Sequence, residues 1–174
     1  LHPRVRRQRQ MCIRDRNIVA KNEELADWKL DIFGQGEWYE KLNDMIDSYG
    51  LQERVRINKP VKDILSEYVN SSLLVMSSNY EGFPMVMIEA MACGLPVVAF
   101  DFKCGPKDII DDGINGLIAE SGNVADLAEK LVSIMSDESR RKFMSANARK
   151  IIDRYSEETV MNMWVGLFNK LCSE

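Results

Sequence analysis

The chain has 174 residues, 45% of them hydrophobic and 29% charged, and a net charge of −4 from 23 basic and 27 acidic side chains. That length suits one domain, and the apolar fraction can build a core, which excludes a disordered or collagen-like chain. No apolar run approaches the ~20 residues of a bilayer span, and the acidic balance argues against a protein that grips nucleic acid through its phosphates.

Residues 1–16 stand apart. They hold six arginines against the single acid Asp15, a net charge of +5, so the remaining 158 residues carry −9. Such an arm can bind nucleic acid or a membrane surface, or it can be foreign sequence to be kept out of fold reasoning. The second reading is preferred. The chain starts at Leu1, the leader lacks the apolar stretch of a signal peptide, and Gln8 to Arg16 resembles translated sequencing adapter.

From Asn17 onward strand and helix patterns alternate. Trp28 to Phe33 alternates apolar and polar residues and stops at Gly34-Gln35-Gly36, which predicts a strand entering a tight turn. That turn is no dinucleotide fingerprint, because the third glycine position is Tyr39. Trp38, Leu42, Met45, Ile46 and Tyr49 form one helical stripe ended by Gly50. A short strand is expected over 54–58 and a short helix over 62–70. The apolar runs Leu73 to Met76 and Pro96 to Phe100 read as buried parallel strands. Between them Met85 to Cys93 is an apolar helix with Pro84 in its first position. Gly116 to Ala119 is a further short strand. Three helices close the chain: one behind Asn123, one from Glu138 to Tyr155 behind Asp137, and one behind Ser156 with the stripe Val160, Met163, Trp164, Leu167, Phe168 and Leu171. Trp164 and Phe168 are expected to pack on the domain core.

This alternation predicts an α/β fold, a Rossmann-like parallel sheet with helices on both faces. Ligands of such sheets bind at the carboxyl ends of the strands, which selects the loops 34–36, 77–84 and 101–106. Of the cysteines Cys12, Cys93, Cys104 and Cys172, no pair has metal-ligand spacing, and the only histidine, His2, lies in the leader, so no metal site is expected. Cys93 and Cys104 read as buried small hydrophobes, and Asp111-Asp112-Gly113 as turn chemistry.

The loop 77–84 feeds a helix N-terminus, where unpartnered amides and the helix dipole favour an anion by roughly 0.3–1 kcal/mol. Pro84 has no N–H, so the donors are Met85 and Val86. Glu81 precedes the helix and Glu89 lies on it among apolar neighbours. A buried carboxylate needs a partner, and a sugar or ribose diol supplies two hydroxyls. Spacing alone also fits a loop acid and a surface glutamate, and leaves both readings open.

The run Glu81-Gly82-Phe83-Pro84-Met85-Val86-Met87-Ile88-Glu89-Ala90-Met91-Ala92-Cys93-Gly94-Leu95-Pro96 resembles the signature of glycosyltransferase family 4, retaining enzymes of the GT-B fold that use nucleotide-activated sugars. The likeness extends from Asn17 to about Leu171 and includes Trp28 to Gly36, Val55 to Val61, Gly105 to Ile110 and Asp112 to Ile118. It implies that residues 17–174 are the C-terminal, donor-binding half of such an enzyme. It also implies roles. Glu81 is the catalytic candidate and bonds the donor sugar, which the backbone of Gly82 and Phe83 lines. The amides of Met85 and Val86 hold the diphosphate, Glu89 takes the ribose hydroxyls, and the backbone near Val61 meets the base.

The implied donor is a UDP- or GDP-sugar, with no cofactor and no obligatory metal. The implied partners are that donor and a glycan or lipid-linked acceptor, not nucleic acid. The setting is bacterial surface polysaccharide or glycoconjugate synthesis, cytoplasmic or peripheral at the inner face of the membrane. The family pattern also has an acceptor domain and a first strand whose loop supplies an Arg and a Lys. No match to these is found here, and Arg14 and Arg16 fit no such motif, so the chain alone is expected to be inactive. In the family the last helix crosses back onto the acceptor domain. The rival readings are a non-catalytic nucleotide-sugar-binding module with a separate acceptor subunit and a GT-B sugar-nucleotide epimerase.

Overall fold

The computed structural model describes residues 23–172, so the leader with His2, Cys12, Arg14 and Arg16 lies outside the described residues. After a single 3₁₀ turn at Glu23–Leu25 the order is β1 (Leu30–Phe33), α1 (Tyr39–Ser48), β2 (Val55–Asn58), α2 (Ile64–Val69), β3 (Leu74–Met76), α3 (Met85–Ala92), β4 (Val97–Phe100), α4 (Pro106–Ile109), β5 (Gly116–Ala119), α5 (Val124–Met135), α6 (Glu138–Ala148), α7 (Ile151–Tyr155) and α8 (Glu157–Cys172).

Every strand pairing is parallel. The strands fall into two sets, β1-β2 and β3-β4-β5, where the sequence suggested one sheet. No described strand lies between β1 and β3, and a cavity of about 570 Å³ sits there, lined by Leu30, Asp31 and Phe33 on one side and Leu74 and Val75 on the other.

All four residues of β4 are buried. Successive side chains of a strand point to opposite faces, so both faces of this sheet are covered. α5 packs on β4 and β5, and α3 packs on β4. The core joins Met87 and Met91 of α3, Val97 to Phe100, Leu127, Leu131 and Ile134 of α5, Met144 of α6 and Ile151 of α7. A smaller core of Leu42, Ile46, Leu51 and Val55 ties α1 to β2, as the α1 stripe predicts.

The capping residues act as expected. Asn123 Oδ1 accepts from Asp126 N at 3.1 Å, Asp137 Oδ1 from Arg140 N at 2.8 Å and Ser156 Oγ from Thr159 N at 3.2 Å. α3 ends in a Schellman turn, with Gly94 N donating to Met91 O at 2.8 Å and Leu95 N to Ala90 O at 3.0 Å. The turn uses φ +89° at Gly94, where a Cβ would meet the Arg149 guanidinium.

Four expectations are corrected. The helix expected over Glu138 to Tyr155 breaks at Arg149-Lys150, because Lys150, Ile152 and Asp153 donate to carbonyls three residues back instead of four. Pro84 caps α3 rather than opening it. Cys104 is exposed with φ +68° rather than buried. Trp164 and Phe168 do not enter the core: α8 buries none of its residues, and the two rings stack on each other at 5.7 Å, half exposed.

Candidate donor site

Because the strands within each set are parallel, the loops after β1 and β2 leave one edge of their sheet, and the loops after β3 and β4 leave one edge of theirs. Two of them are locked together. Tyr80 and Lys103 form a parallel bridge, and the buried Pro84 ring lies so close to Gly105 that a Cβ there would come within 2.7 Å of it. Phe83 leans on Tyr155 at 5.9 Å between ring centres. Tyr155 in turn donates to Asp108 O at 3.1 Å, so α7 braces the loop from outside.

Within the loop, Glu81 is half-buried, and Ser78 Oγ donates to Glu81 Oε1 at 2.7 Å. Ser78 itself is 4% exposed. Gly82 is exposed, a Cβ on it would meet nothing within 4 Å, and its φ is not in the left-handed region. Neither conformation nor protein packing therefore requires a glycine at this point.

Pro84 at φ −83°, ψ 74° makes an inverse γ-turn, in which Met85 N donates to Phe83 O at 3.0 Å. The Met85 amide is thus already engaged in the turn. Val86, the second residue of α3, has no carbonyl within its helix to reach. Both side chains are exposed, and so is Val61 at the carboxyl end of β2.

Glu89 is half-buried on α3. It shares a face with Cys93, one turn on, and Cys93 packs with Tyr68 of α2, Ala90 and Leu95. Tyr68 is 7% exposed. Its hydroxyl is pushed up from 10.0 to about 12 by burial first, then by the charges of Glu89 and Cys93. The folded chain keeps this proton after the unfolded chain has lost it. The stability from Tyr68 is therefore complete below pH 10 and is lost as pH rises to about 12. In Tyr68→Phe the decline in unfolding free energy across that window is expected to flatten, as read by denaturant titrations at a series of pH values.

The structure thus brings Glu81, Gly82, Phe83, Met85 and Val86 together on one loop and helix start, with Glu89 further along the same helix, while Val61 lies in the loop after β2, in the other set of strands. Sequence reasoning gave no role to Ser78 or Tyr68. A serine three residues ahead of Glu81 is the only local signal for the first; nothing in the spacing announces the second. The 570 Å³ cavity is not this site, for none of the candidate residues lines it. Among the described residues no group of three or more His, Cys, Asp or Glu side chains is placed to hold a metal ion, and no helix is long and apolar enough to cross a membrane.

The profile of the glycosyl transferases group 1 family matches residues 17–151. The chain belongs to that family. It is 33% identical over 155 residues to the poly(glycerol-phosphate) alpha-glucosyltransferase of Bacillus subtilis (strain 168), covering 89% of this chain and 23% of that protein. It is 35% identical over 153 residues to the poly(ribitol-phosphate) alpha-N-acetylglucosaminyltransferase of Staphylococcus aureus (strain COL), covering 87% and 31%. The fold is that of GT-B glycosyltransferases. A crystal structure of an S. aureus TarM variant in complex with fondaparinux, alpha-GlcNAc-glycerol and UDP matches with a TM-score of 0.85 and 32% identity, covering 92% of this chain and 32% of that one. The chain thus spans about a quarter to a third of these relatives.

Proposed function

We propose that this chain is the nucleotide-sugar-binding half of a retaining family 4 glycosyltransferase. The full-length polypeptide moves a hexose-type sugar from a UDP- or GDP-sugar to a glycan or lipid-linked acceptor in bacterial surface polysaccharide or glycoconjugate synthesis, on the cytoplasmic side of the membrane. The observation that carries this reading is Gly82: an open glycine that neither φ nor packing demands, set between a tethered carboxylate and a helix N-terminus. Space left free by the protein at that point is space for a ligand. The likeness to a poly(glycerol-phosphate) alpha-glucosyltransferase and a poly(ribitol-phosphate) alpha-N-acetylglucosaminyltransferase supports the reading.

The roles follow from the chemistry of each group. Glu81 accepts hydrogen bonds from hydroxyls of the donor sugar. The diphosphate sits at the start of α3, where the Val86 N–H and the helix dipole offset its charge. Glu89 accepts from the ribose diol, and the backbone at Val61 meets the base. The acceptor hydroxyl oxygen bonds to the anomeric carbon on the face from which the diphosphate leaves. The old C–O bond breaks with its electron pair, and the hydroxyl proton passes to a departing phosphate oxygen.

The acceptor and further diphosphate anchors come from other parts of the polypeptide, so the chain alone does not transfer sugar. A further parallel strand between β1 and β3 would fill the cavity that separates the two sets of strands, and the exposed apolar face of α8 would pack on the acceptor half.

Gly82→Ala tests the reading. The added methyl meets no protein atom, so the melting temperature should hold or rise slightly, by about 0.4–1 kcal/mol in stability. Binding of UDP-glucose, UDP-N-acetylglucosamine or GDP-mannose, whichever the full-length polypeptide takes, should fall about tenfold or more by calorimetry. Unchanged affinity for every donor that binds would refute a sugar seated on Gly82.

A further inference from the structure

We propose that Ser78 is the positioning residue for Glu81, fixing which carboxylate oxygen faces the donor sugar; this rests on the donor-site reading above. Ser78 is the second residue after β3 and is only 4% exposed. A hydroxyl that far inside a protein costs stability unless it is hydrogen-bonded. Its Oγ–H spends its single donor on Glu81 Oε1, at 2.7 Å. A bond from a hydroxyl to a charged carboxylate is of the stronger class.

The geometry gives that bond a directional effect. Ser78 is set by the rigid end of β3, whose neighbour β4 is wholly buried. Glu81 sits three residues on, in the loop, with a flexible side chain. Without a tether a glutamate divides its time among several rotamers. With Oε1 held from the protein side, Oε2 is left to accept from a hydroxyl on the open side, beside Gly82. The serine thus converts a mobile loop acid into a fixed acceptor, and positioning of this kind counts in the rate more than in the affinity.

The alternative is a loop staple that holds residues 78–81 in shape and nothing more. The two roles separate experimentally. In the full-length polypeptide, Ser78→Ala should lower kcat roughly tenfold, the scale of a lost hydrogen bond to a charged group. The donor KM should move by less than about threefold, and affinity for free UDP, which has no sugar for Glu81 to touch, should stay the same. Ser78→Thr keeps the hydroxyl and should restore most of the rate. Independently of any donor, crystal structures of the variants should show Glu81 in one rotamer in Ser78→Thr and spread over several in Ser78→Ala, because the tether to Oε1 is lost.

A lower melting temperature with unchanged kcat and an unchanged Glu81 rotamer in Ser78→Ala would show the staple role and overturn the proposal. So would a Ser78→Thr variant that folds, holds Glu81 in the wild-type rotamer and stays slow. If Glu81 loses its single rotamer in Ser78→Ala as expected but wild-type polypeptide binds neither UDP-glucose, UDP-N-acetylglucosamine nor GDP-mannose, the donor-site reading fails and the positioning role fails with it, while the Ser78–Glu81 contact stands.

Discussion

Replacing Glu81 by Ala is expected to slow sugar transfer by the full-length polypeptide by about 10²-fold, the scale on which misplacing a reacting group acts, while leaving affinity for free UDP within about twofold. The asymmetry follows from position. Glu81 lies in the loop ahead of α3 beside the open Gly82, so in the proposed arrangement, with the diphosphate at the start of α3, its free oxygen meets the sugar. Glu81→Gln keeps an acceptor oxygen, but the amide has no charge and must share one oxygen between Ser78 and the sugar. It should recover only part of the rate. Initial-rate measurements at saturating donor decide the matter: a Glu81→Ala variant within threefold of wild type would remove Glu81 from the chemistry.

Why this much of the site was readable before any coordinates comes down to the period of the apolar pattern. β4 is buried on both faces, and its sequence Val97-Val98-Ala99-Phe100 shows no alternation because no side of it needs a polar residue. The α1 stripe marks one buried face, and the buried residues of that helix, Leu42 and Ile46, are members of it. Loops that follow parallel strands of one sheet share an edge by topology alone, which is why the 77–84 and 101–106 loops could be selected in advance, together with 34–36, which the structure puts on the other set of strands.

What stayed hidden depends on partners far along the chain or on single hydrogen bonds. The separation of β1-β2 from β3-β4-β5 is a matter of what lies between two strand edges, and strand periodicity carries no information about neighbours. The break at Arg149-Lys150 has no glycine or proline to announce it; it comes from carbonyls three residues back winning the competition. α8 has the apolar stripe of a core helix, and a stripe records that a face is to be covered, not that this domain covers it. The Met85 amide looked free because a helix start leaves its first N–H groups unpartnered, yet the γ-turn at Pro84 captures it. That leaves Val86 as the first amide of α3 able to meet a phosphate.

Glu89→Ala should act on affinity where Glu81→Ala acts on rate. Leaving ribose hydroxyls without their acceptor costs about 1–3 kcal/mol, a rise in Kd of roughly 5–150-fold. The loss should be the same for the nucleotide-sugar and for free UDP or GDP, because both carry the ribose. Turnover at saturating donor should change little. The same substitution has a second readout inside the protein. The Glu89 charge is one of the causes that push Tyr68 up to about 12, so its removal should lower the Tyr68 midpoint, measurable by ultraviolet absorbance of the phenolate. The pair of measurements separates two failures. A lowered Tyr68 midpoint with unchanged nucleotide affinity would place Glu89 as the folded chain does, near Tyr68, but refute the ribose contact. No change in either would put the Glu89 carboxylate in solvent, away from both. A contact to the part of the donor that does not react, such as the ribose, moves the affinity and leaves the maximal rate alone.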